Sequence, residues 1–155
     1  MSPTQNPPAE IDNDVFSVSR TITIAAPPEK VWAAVTEPEH IERWHTSAAT
    51  LTALEPGGTG EWTFEGYGTA PIRIESVEPM RSVTYRWGSD GDTELVDGRS
   101  TVFTFTLEAI EGGTRLHVHE TGFEMLKDPQ GALHSNQEGW TVQLDKLVAY
   151  LEGDA

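Results

Sequence analysis

The sequence predicts an α+β fold in which an antiparallel sheet of about seven strands curves around one long C-terminal helix. Short segments of alternating apolar and polar residues fill the middle of the chain, separated by turn signals such as Pro56-Gly57-Gly58 and Glu111-Gly112-Gly113. The connections are too short for crossover helices, so successive strands should pair antiparallel. The last segment instead repeats its apolar residues at helical spacing, and that apolar stripe needs a sheet face to cover it.

The first predicted strand runs from Val15 to Ile24, where apolar residues alternate with small polar ones. Arg20 falls on the apolar side of this alternation. Two short helices should follow, because Pro28 suits a helix start and Pro38 ends the first helix. The second helix extends to about Trp44.

The remaining strands and the closing helix follow from the periods of two and 3.6 residues. The further strands are predicted at about Ala49–Leu54, Glu61–Glu65, Pro71–Val77, Ser82–Trp87, Ser100–Ala109 and Thr114–Thr121. Gly139 is placed at the start of the closing helix, and Gly153 ends it. The apolar stripe of that helix consists of Trp140, Leu144, Leu147, Val148 and Leu151.

The composition favours a soluble protein that binds neither nucleic acid nor membranes. The chain has 155 residues, a formal net charge of −15 and no Cys, which excludes disulfides, thiolate catalysis and Cys-ligated metals. A surface of this charge repels phosphate backbones and anionic lipid. No apolar run reaches the roughly 20 residues that span a bilayer, and no secretory signal is recognised, so a cytoplasmic location is expected. Residues 1–14, rich in proline and polar residues, are predicted to be a disordered tail before one domain over 15–155.

Three segments together resemble a known superfamily. They are I-A-A-P-P-E-K-V-W-A-A-V-T-E-P-E-H-I-E-R-W, G-G-T-R-L-H-V-H-E-T-G-F, and a closing pattern of the form G-W-x-x-x-L-x-x-L-x-x-Y-L. From Val15 to about Leu151 the chain is similar to the START-like (SRPBCC, helix-grip) superfamily, in the branch of the C-terminal domain of the heat-shock protein 90 ATPase activator. The resemblance implies a helix-grip fold with an internal cavity. Proteins on this scaffold bind or transport apolar molecules, cyclise polyketides or contact chaperones.

Glu120 is the most informative polar residue of the predicted last strand. It shares the period-two face of Leu116 and Val118, which should point into the core. A carboxylate on an apolar face is costly unless it is paired. Since the first and last strands are neighbours in the fold that the chain resembles, Arg20 is the expected partner. The pair is either a structural ion pair or a polar anchor for a ligand, unless the register is shifted by one residue.

His117 and His119 should then lie on the outer face of the same strand. Their H-x-H spacing is compatible with a metal ion, but no third ligand has suitable spacing. A solvated strand face is therefore the favoured interpretation, and neither a metal nor another cofactor is expected.

Aromatic residues on inward positions form the second candidate site. Many should simply be core, but rings around an enclosed space would suit a flat apolar or aromatic ligand with one polar group. The predicted ligand-binding residues are Arg20, Trp44, Trp62, Tyr85, Trp87, Phe103, Glu120, Trp140 and Gln143.

These observations favour a non-catalytic protein that holds a small apolar or aromatic molecule in an internal cavity. The sequence contains no G-x-S-x-G, H-E-x-x-H, P-loop or dinucleotide motif. Two alternatives stay open. One is a cyclase- or hydrolase-type enzyme with Glu120 or His134 as acid or base, and the other is a regulator that contacts a chaperone ATPase. A homodimer is compatible with either.

Overall fold

The predicted order of strand, two short helices, strands and long helix is confirmed in a computed structural model that describes residues 4–66, 68–88 and 100–153. The strands are β1 (Glu10–Asp12), β2 (Ser17–Ile24), β3 (Ala48–Ala49), β4 (Thr59–Phe64), β5 (Gly68–Glu78), β6 (Ser82–Gly88), β7 (Ser100–Ile110) and β8 (Gly113–Thr121). Within the described residues they form one curved antiparallel sheet in the order β1-β2-β8-β7-β6-β5-β4-β3.

Prolines begin each of the three α-helices: α1 (Pro28–Thr36), α2 (Pro38–Trp44) and α3 (Pro129–Leu151). A proline in the first turn costs little, because its missing N–H has no partner there in any helix. The side chain of Asp128 caps α3 by accepting from the backbone N–H of Gly131 over 3.0 Å. The helix therefore begins earlier than the sequence predicts, and Gly139 lies inside it. No helix in the described ranges is long and apolar enough to cross a membrane.

The core lies between the concave sheet face and α3. Of the predicted helical stripe, only Leu151 is not fully buried. On the sheet side, the core is formed by inward residues of β2, β7 and β8. Tyr85 of β6 and inward residues of β4 and β5 complete it. The fully buried side chains that β2, β7 and β8 supply include Val18, Ile22, Ile24, Phe103, Phe105, Leu116, Val118 and Glu120.

The strand predicted over Ala49–Leu54 is shorter than expected. Only Ala48–Ala49 is regular strand, and beyond it Thr50 N and Thr52 N still donate to Glu61 O and Thr59 O. The hydrogen bonds to β4 therefore continue beyond the regular strand. The chain then reverses direction through the turn Pro56-Gly57-Gly58.

The prediction of a disordered N-terminal tail is wrong for the residues that the structure describes. Glu10–Asp12 pairs with β2, and Ala9 is only 2% exposed. Two side chains of α3 hold the Ala9 backbone: Gln137 Nε2 donates to Ala9 O over 2.9 Å, and Thr141 Oγ1 accepts from Ala9 N over 3.0 Å. Composition predicted disorder because the segment has little apolar surface, whereas hydrogen bonds hold it in place.

Candidate ligand-binding site

A cavity of about 400 Å³ opens between α3 and the sheet. The end of α2 and strands β4, β5 and β6 form one side of it, and one face of α3 forms the other. Its lining residues are His45, Phe64, Ala70, Trp87, Gly88, Ser135, Asn136, Gly139, Trp140 and Gln143.

Four of these residues give the cavity an aromatic wall. The rings of Trp87 and Trp140 stack with centroids 5.8 Å apart at an interplanar angle of 25°. Phe64 lies edge-on to Trp87 at 6.3 Å, and His45 lies edge-on to Phe64 at 5.2 Å. Such contacts hold each ring in one orientation, so the wall is a preformed apolar surface.

Gly139 leaves the α3 side of the cavity open. A β-carbon added at this position would meet nothing within 4 Å. Any larger side chain here would therefore extend into free space at the cavity.

Glu120 lies directly behind the wall and is fully buried. Its Oε1 accepts from Trp140 Nε1 at 2.8 Å and from Asn136 Nδ2 at 3.0 Å. Its Oε2 accepts from Trp87 Nε1 at 2.8 Å and from Thr101 Oγ1 at 2.5 Å. Burial raises the pKa of the Glu120 carboxyl, and the four hydrogen bonds oppose that rise.

These four bonds fill the acceptor positions of the carboxylate, which has about four lone-pair sites. Since Glu120 is also fully buried, it has neither exposed surface nor spare acceptor capacity for a ligand. Its geometry is that of a positioning residue, because it fixes the indoles of Trp87 and Trp140 on the cavity wall.

His45, immediately after α2, is the titratable residue on the cavity wall. Its ring stacks on Trp44 at 4.8 Å, and its Nδ1 lies 3.4 Å from Gln143 Oε1. Burial lowers the pKa of His45 to about 4, with a further lowering from the charge of Lys146 and an opposing effect of the Gln143 hydrogen bond. The imidazole is therefore neutral at pH 7.

The sequence-predicted residues separate into a wall and a core layer behind it. Trp87, Trp140 and Gln143 line the cavity. The other predicted rings are buried outside its lining: Trp44, Trp62, Tyr85 and Phe103.

Two members of that core layer have their polar atoms satisfied by backbone carbonyls. Trp44 Nε1 donates to Ala34 O over 2.8 Å, and the Tyr85 hydroxyl donates to Val35 O over 2.7 Å. Burial also raises the pKa of the Tyr85 hydroxyl. The first bond joins α2 to α1, the second joins α1 to the sheet, and the rings support the cavity wall from behind.

The predicted Arg20–Glu120 pair is wrong. Arg20 is buried on the inward face as expected, but it lies opposite Val118, whereas Glu120 lies opposite Val18. The guanidinium instead reaches Asp145 Oδ1 at 2.7 Å.

Arg20 also joins the N-terminal segment to α3. Its Nε donates to Pro7 O over 2.7 Å, and its Nη1 donates to Thr141 O over 2.9 Å. It is absent from the cavity lining. The sequence placed Arg20 on the correct face, but it could not show how far this long side chain reaches.

The site also contains residues that sequence reasoning did not select. Phe64 lies on an inward position of β4, a pattern that fits core and cavity wall equally. Ala70 and Ser135 have no chemistry that would mark them. His45 lies just beyond the end of α2, where no periodicity assigns it to a face; its position directly after Trp44 was the only available signal.

His117 and His119 lie on the outer side of β8, as predicted. His117 Nδ1 lies 2.8 Å from Thr21 Oγ1, and the two imidazoles stack at 6.2 Å. Burial, together with the nearby His119, lowers the pKa of His117. Across the described ranges, no three side chains of the metal-binding types come together.

Known structures share this architecture. MLL2253 from Mesorhizobium loti is 26% identical and superposes with a TM-score of 0.76 over 90% of this chain and 98% of its own. The solution structure of the Aha1 dimer from Colwellia psychrerythraea is 21% identical, with a TM-score of 0.73 over 88% of this chain and 96% of its own. DynU16, described as a protein in the dynemicin biosynthetic locus, is 25% identical, with a TM-score of 0.71 over 88% of this chain and 47% of that longer chain.

No curated protein matches the sequence significantly. The family model described as activator of Hsp90 ATPase homolog 1-like protein matches residues 25–152, from the end of β2 to the end of α3. This match covers most of the chain, and the neighbours share its START-like fold. The chain belongs to the activator of Hsp90 ATPase homolog 1-like family.

Proposed function

We propose that this protein binds a small apolar or aromatic molecule in the cavity beside α3, without transforming it. The observation that carries the proposal is the aromatic wall, in which the indoles of Trp87 and Trp140 are fixed by the buried Glu120. Pockets for small molecules enclose about 300–1,000 Å³ and combine apolar walls with few polar groups. The cavity of about 400 Å³, with Asn136 and Gln143 in its lining, has that character.

Other depressions in the described structure are less suitable. The two larger ones lie away from α3, are more open to solvent and have no Trp, Tyr or Phe in their linings. The DynU16 neighbour is described as a protein in a biosynthetic locus, which is in keeping with a small organic ligand for a protein of this fold.

A titration with the neutral fluorescent dye N-phenyl-1-naphthylamine tests the proposal. A neutral probe avoids repulsion by the net charge of −15. The wild-type protein should give saturable dye fluorescence and quenching of tryptophan emission. Gly139→Leu should weaken dye binding at least about tenfold, because a leucine side chain there occupies the cavity.

Val142→Leu is the matched control on the same helix, since Val142 is exposed and lies outside the lining. It should bind the dye like wild type. Equal binding by wild type and Gly139→Leu would show that the dye does not use this cavity, and no saturable binding would contradict the proposal.

An enzyme that uses Glu120 as acid or base is less consistent with the geometry. The carboxyl is fully buried and already accepts four hydrogen bonds. A compound consumed by wild type, but bound and left intact by Glu120→Gln, would favour this alternative over simple binding.

The description of the matching family favours regulation of a chaperone ATPase as a second candidate. The assay is ATP hydrolysis by purified Hsp90 with and without this protein. Stimulation that persists in Gly139→Leu would assign the activity to another surface. An unchanged rate would leave the binding role as the better account.

A homodimer is a separate proposal, supported by the dimeric neighbour from Colwellia psychrerythraea. Light scattering after size exclusion should then give twice the chain mass of 17.0 kDa. A mass of one chain across a wide range of concentration would contradict it.

A further inference from the structure

Asn136 has a fixed side-chain orientation at the boundary between the core and the cavity. Its amide lies 3.0 Å from Glu120 Oε1. The same oxygen also accepts from Trp140 Nε1, and an indole nitrogen can only donate. Because Oε1 is an acceptor, the amide nitrogen of Asn136 faces it, and the amide oxygen Oδ1 is directed away from Glu120.

Protonation of Glu120 does not change this orientation. Its other carboxyl oxygen, Oε2, lies 2.5 Å from Thr101 Oγ1, and a hydroxyl can accept as well as donate. A proton on the carboxyl is therefore accommodated on Oε2, in the bond to Thr101. Oε1 remains an acceptor, and Asn136 keeps its Nδ2 toward Glu120 in both ionisation states.

The position of Asn136 on α3 determines where Oδ1 points. Successive helix residues are about 100° apart, so Asn136 lies between Trp140 on the core side and Gly139 on the cavity side. Nδ2 is directed to the core side, where Glu120 is buried. Oδ1 is therefore directed to the cavity that Asn136 lines.

Oδ1 of Asn136 is accessible and without a partner among the described residues. Asn136 is partly exposed, and its side-chain hydrogen bond uses Nδ2 alone. The buried side-chain atoms without a hydrogen bond are His45 Nε2, Thr46 Oγ1 and Arg86 Nε, and Oδ1 is not one of them. Gln143, the other amide of the lining, has its oxygen 3.4 Å from the imidazole of His45. Asn136 therefore supplies an available acceptor beside the aromatic wall.

We propose that the ligand of this cavity is a neutral aromatic molecule with a hydroxyl or N–H group, which donates a hydrogen bond to Oδ1 of Asn136. This inference rests on the proposed function and narrows its ligand class. The rings of Trp87 and Trp140 contact the aromatic body, and Asn136 selects the donor group. An anionic oxygen would meet the lone pairs of Oδ1 instead of a donor, and the net charge of −15 would also repel it.

The affinities for 2-naphthol and 2-methylnaphthalene, measured by isothermal titration calorimetry, test this inference. The two probes have nearly the same shape, and only the first can donate a hydrogen bond. Asn136→Leu keeps a side chain of similar size and removes the acceptor. The ratio of the two affinities should shift about tenfold against 2-naphthol in Asn136→Leu, the scale of one net hydrogen bond. An unchanged ratio would overturn the inference.

Gln143→Leu is the matched control, because it replaces the other amide of the lining by the same apolar side chain. It should change both affinities by a similar factor and leave their ratio as in wild type. A shifted ratio in Gln143→Leu, with the wild-type ratio in Asn136→Leu, would assign the acceptor to Gln143 and overturn the proposal.

The charge of the ligand is tested with 2-naphthoate, which has the same ring system and an anionic head. It should bind wild type more weakly than 2-naphthol at pH 7. Tighter binding of 2-naphthoate would contradict a neutral, donating ligand.

The ¹³Cγ resonance of Asn136 in the wild-type protein provides a readout that does not depend on how well a variant folds. A hydrogen bond to Oδ1 polarises the amide, so this resonance should move further with 2-naphthol than with 2-methylnaphthalene. If wild type binds both probes and Cγ responds equally to each, this inference fails while the proposed function stands. If neither probe binds, the proposed function fails with it.

Discussion

Trp140 Nε1 donates to Glu120 Oε1 over 2.8 Å, and this bond joins the closing helix to the last strand behind the cavity. The other carboxylate oxygen, Oε2, accepts a hydrogen bond from the indole N–H of Trp87 on β6 over the same distance. One buried carboxylate thus orients two indoles that belong to different elements.

Replacing Glu120 by leucine should be strongly destabilising, although its surroundings are largely apolar. The change leaves the donors of Trp87, Thr101, Asn136 and Trp140 without this acceptor. Each buried donor left unpaired costs about 1–3 kcal/mol, so we expect a total loss of at least about 3 kcal/mol in urea unfolding. Glu61→Leu, at an exposed strand position, should change stability far less. A stabilising effect of Glu120→Leu would show that the bonds do not hold the wall.

The raised pKa of Glu120 predicts a defined pH dependence. A carboxyl whose pKa is higher in the folded than in the unfolded state contributes stability that is present below the unfolded value. That contribution is lost as the pH rises through the folded pKa. The free energy of unfolding of wild type relative to Glu120→Gln should therefore fall as the pH rises from about 4.5. A difference that stays constant or grows would contradict the raised pKa.

His45 should produce the opposite trend. Its pKa is lowered from 6.5 to about 4, so its contribution to stability is present above pH 6.5 and is lost as the pH falls toward 4. The full loss amounts to roughly 3 kcal/mol. Unfolding curves of wild type and His45→Phe between pH 7 and 4 measure it: the wild type should lose more stability than the variant. Parallel curves would show that the imidazole titrates normally.

Gly139→Ala should stabilise the protein. Glycine inside a helix costs about 1 kcal/mol relative to alanine, and the added methyl at this position meets nothing within 4 Å. Gly131→Ala is the contrasting control, because its methyl would clash with Asp128 Oδ2 and disturb the helix cap. We expect a gain of about 0.5–1 kcal/mol for Gly139→Ala and none for Gly131→Ala. If Gly131→Ala were the more stable of the two variants, the cavity face of α3 at Gly139 would not be open.

Deleting residues 1–13 should lower the melting temperature by more than about 5 °C. The deletion removes β1, the Ala9 contacts with α3 and the Pro7 carbonyl that Arg20 binds. Differential scanning calorimetry of the full and shortened chains measures the change. A shift of less than about 2 °C would show that these contacts contribute little to stability.

The fold could be predicted because it depends on periodicity. The alternation Leu116, Val118, Glu120 placed a carboxylate inside the molecule, and the helical stripe at Trp140 and Leu144 identified the helix that covers the sheet. Both features are local in sequence, and the structure confirms them.

The site was predicted only in part, because it depends on contacts between distant segments. The sequence placed Arg20 and Glu120 on the same sheet face but could not define their partners. The strand register and the length of the Arg20 side chain determine which groups Arg20 reaches. The partners of Glu120 are four neutral donors that lie on three other elements of the fold. His45 lies beyond a helix end, where no pattern gives its orientation. The low apolar content of the N-terminal segment predicted disorder, but apolar content gives no information about hydrogen bonds to side chains such as Gln137.

The most direct test of the account is a titration of the ¹⁵N-labelled protein with naphthalene, observed through its indole N–H resonances. The chain has five tryptophans. The resonances of Trp87 and Trp140, whose rings form the wall, should shift in a saturable way, while that of Trp32, outside the lining, should stay in place. Absence of any shift at Trp87 and Trp140, or a saturable shift confined to Trp32, would contradict the claim that this cavity binds aromatic molecules.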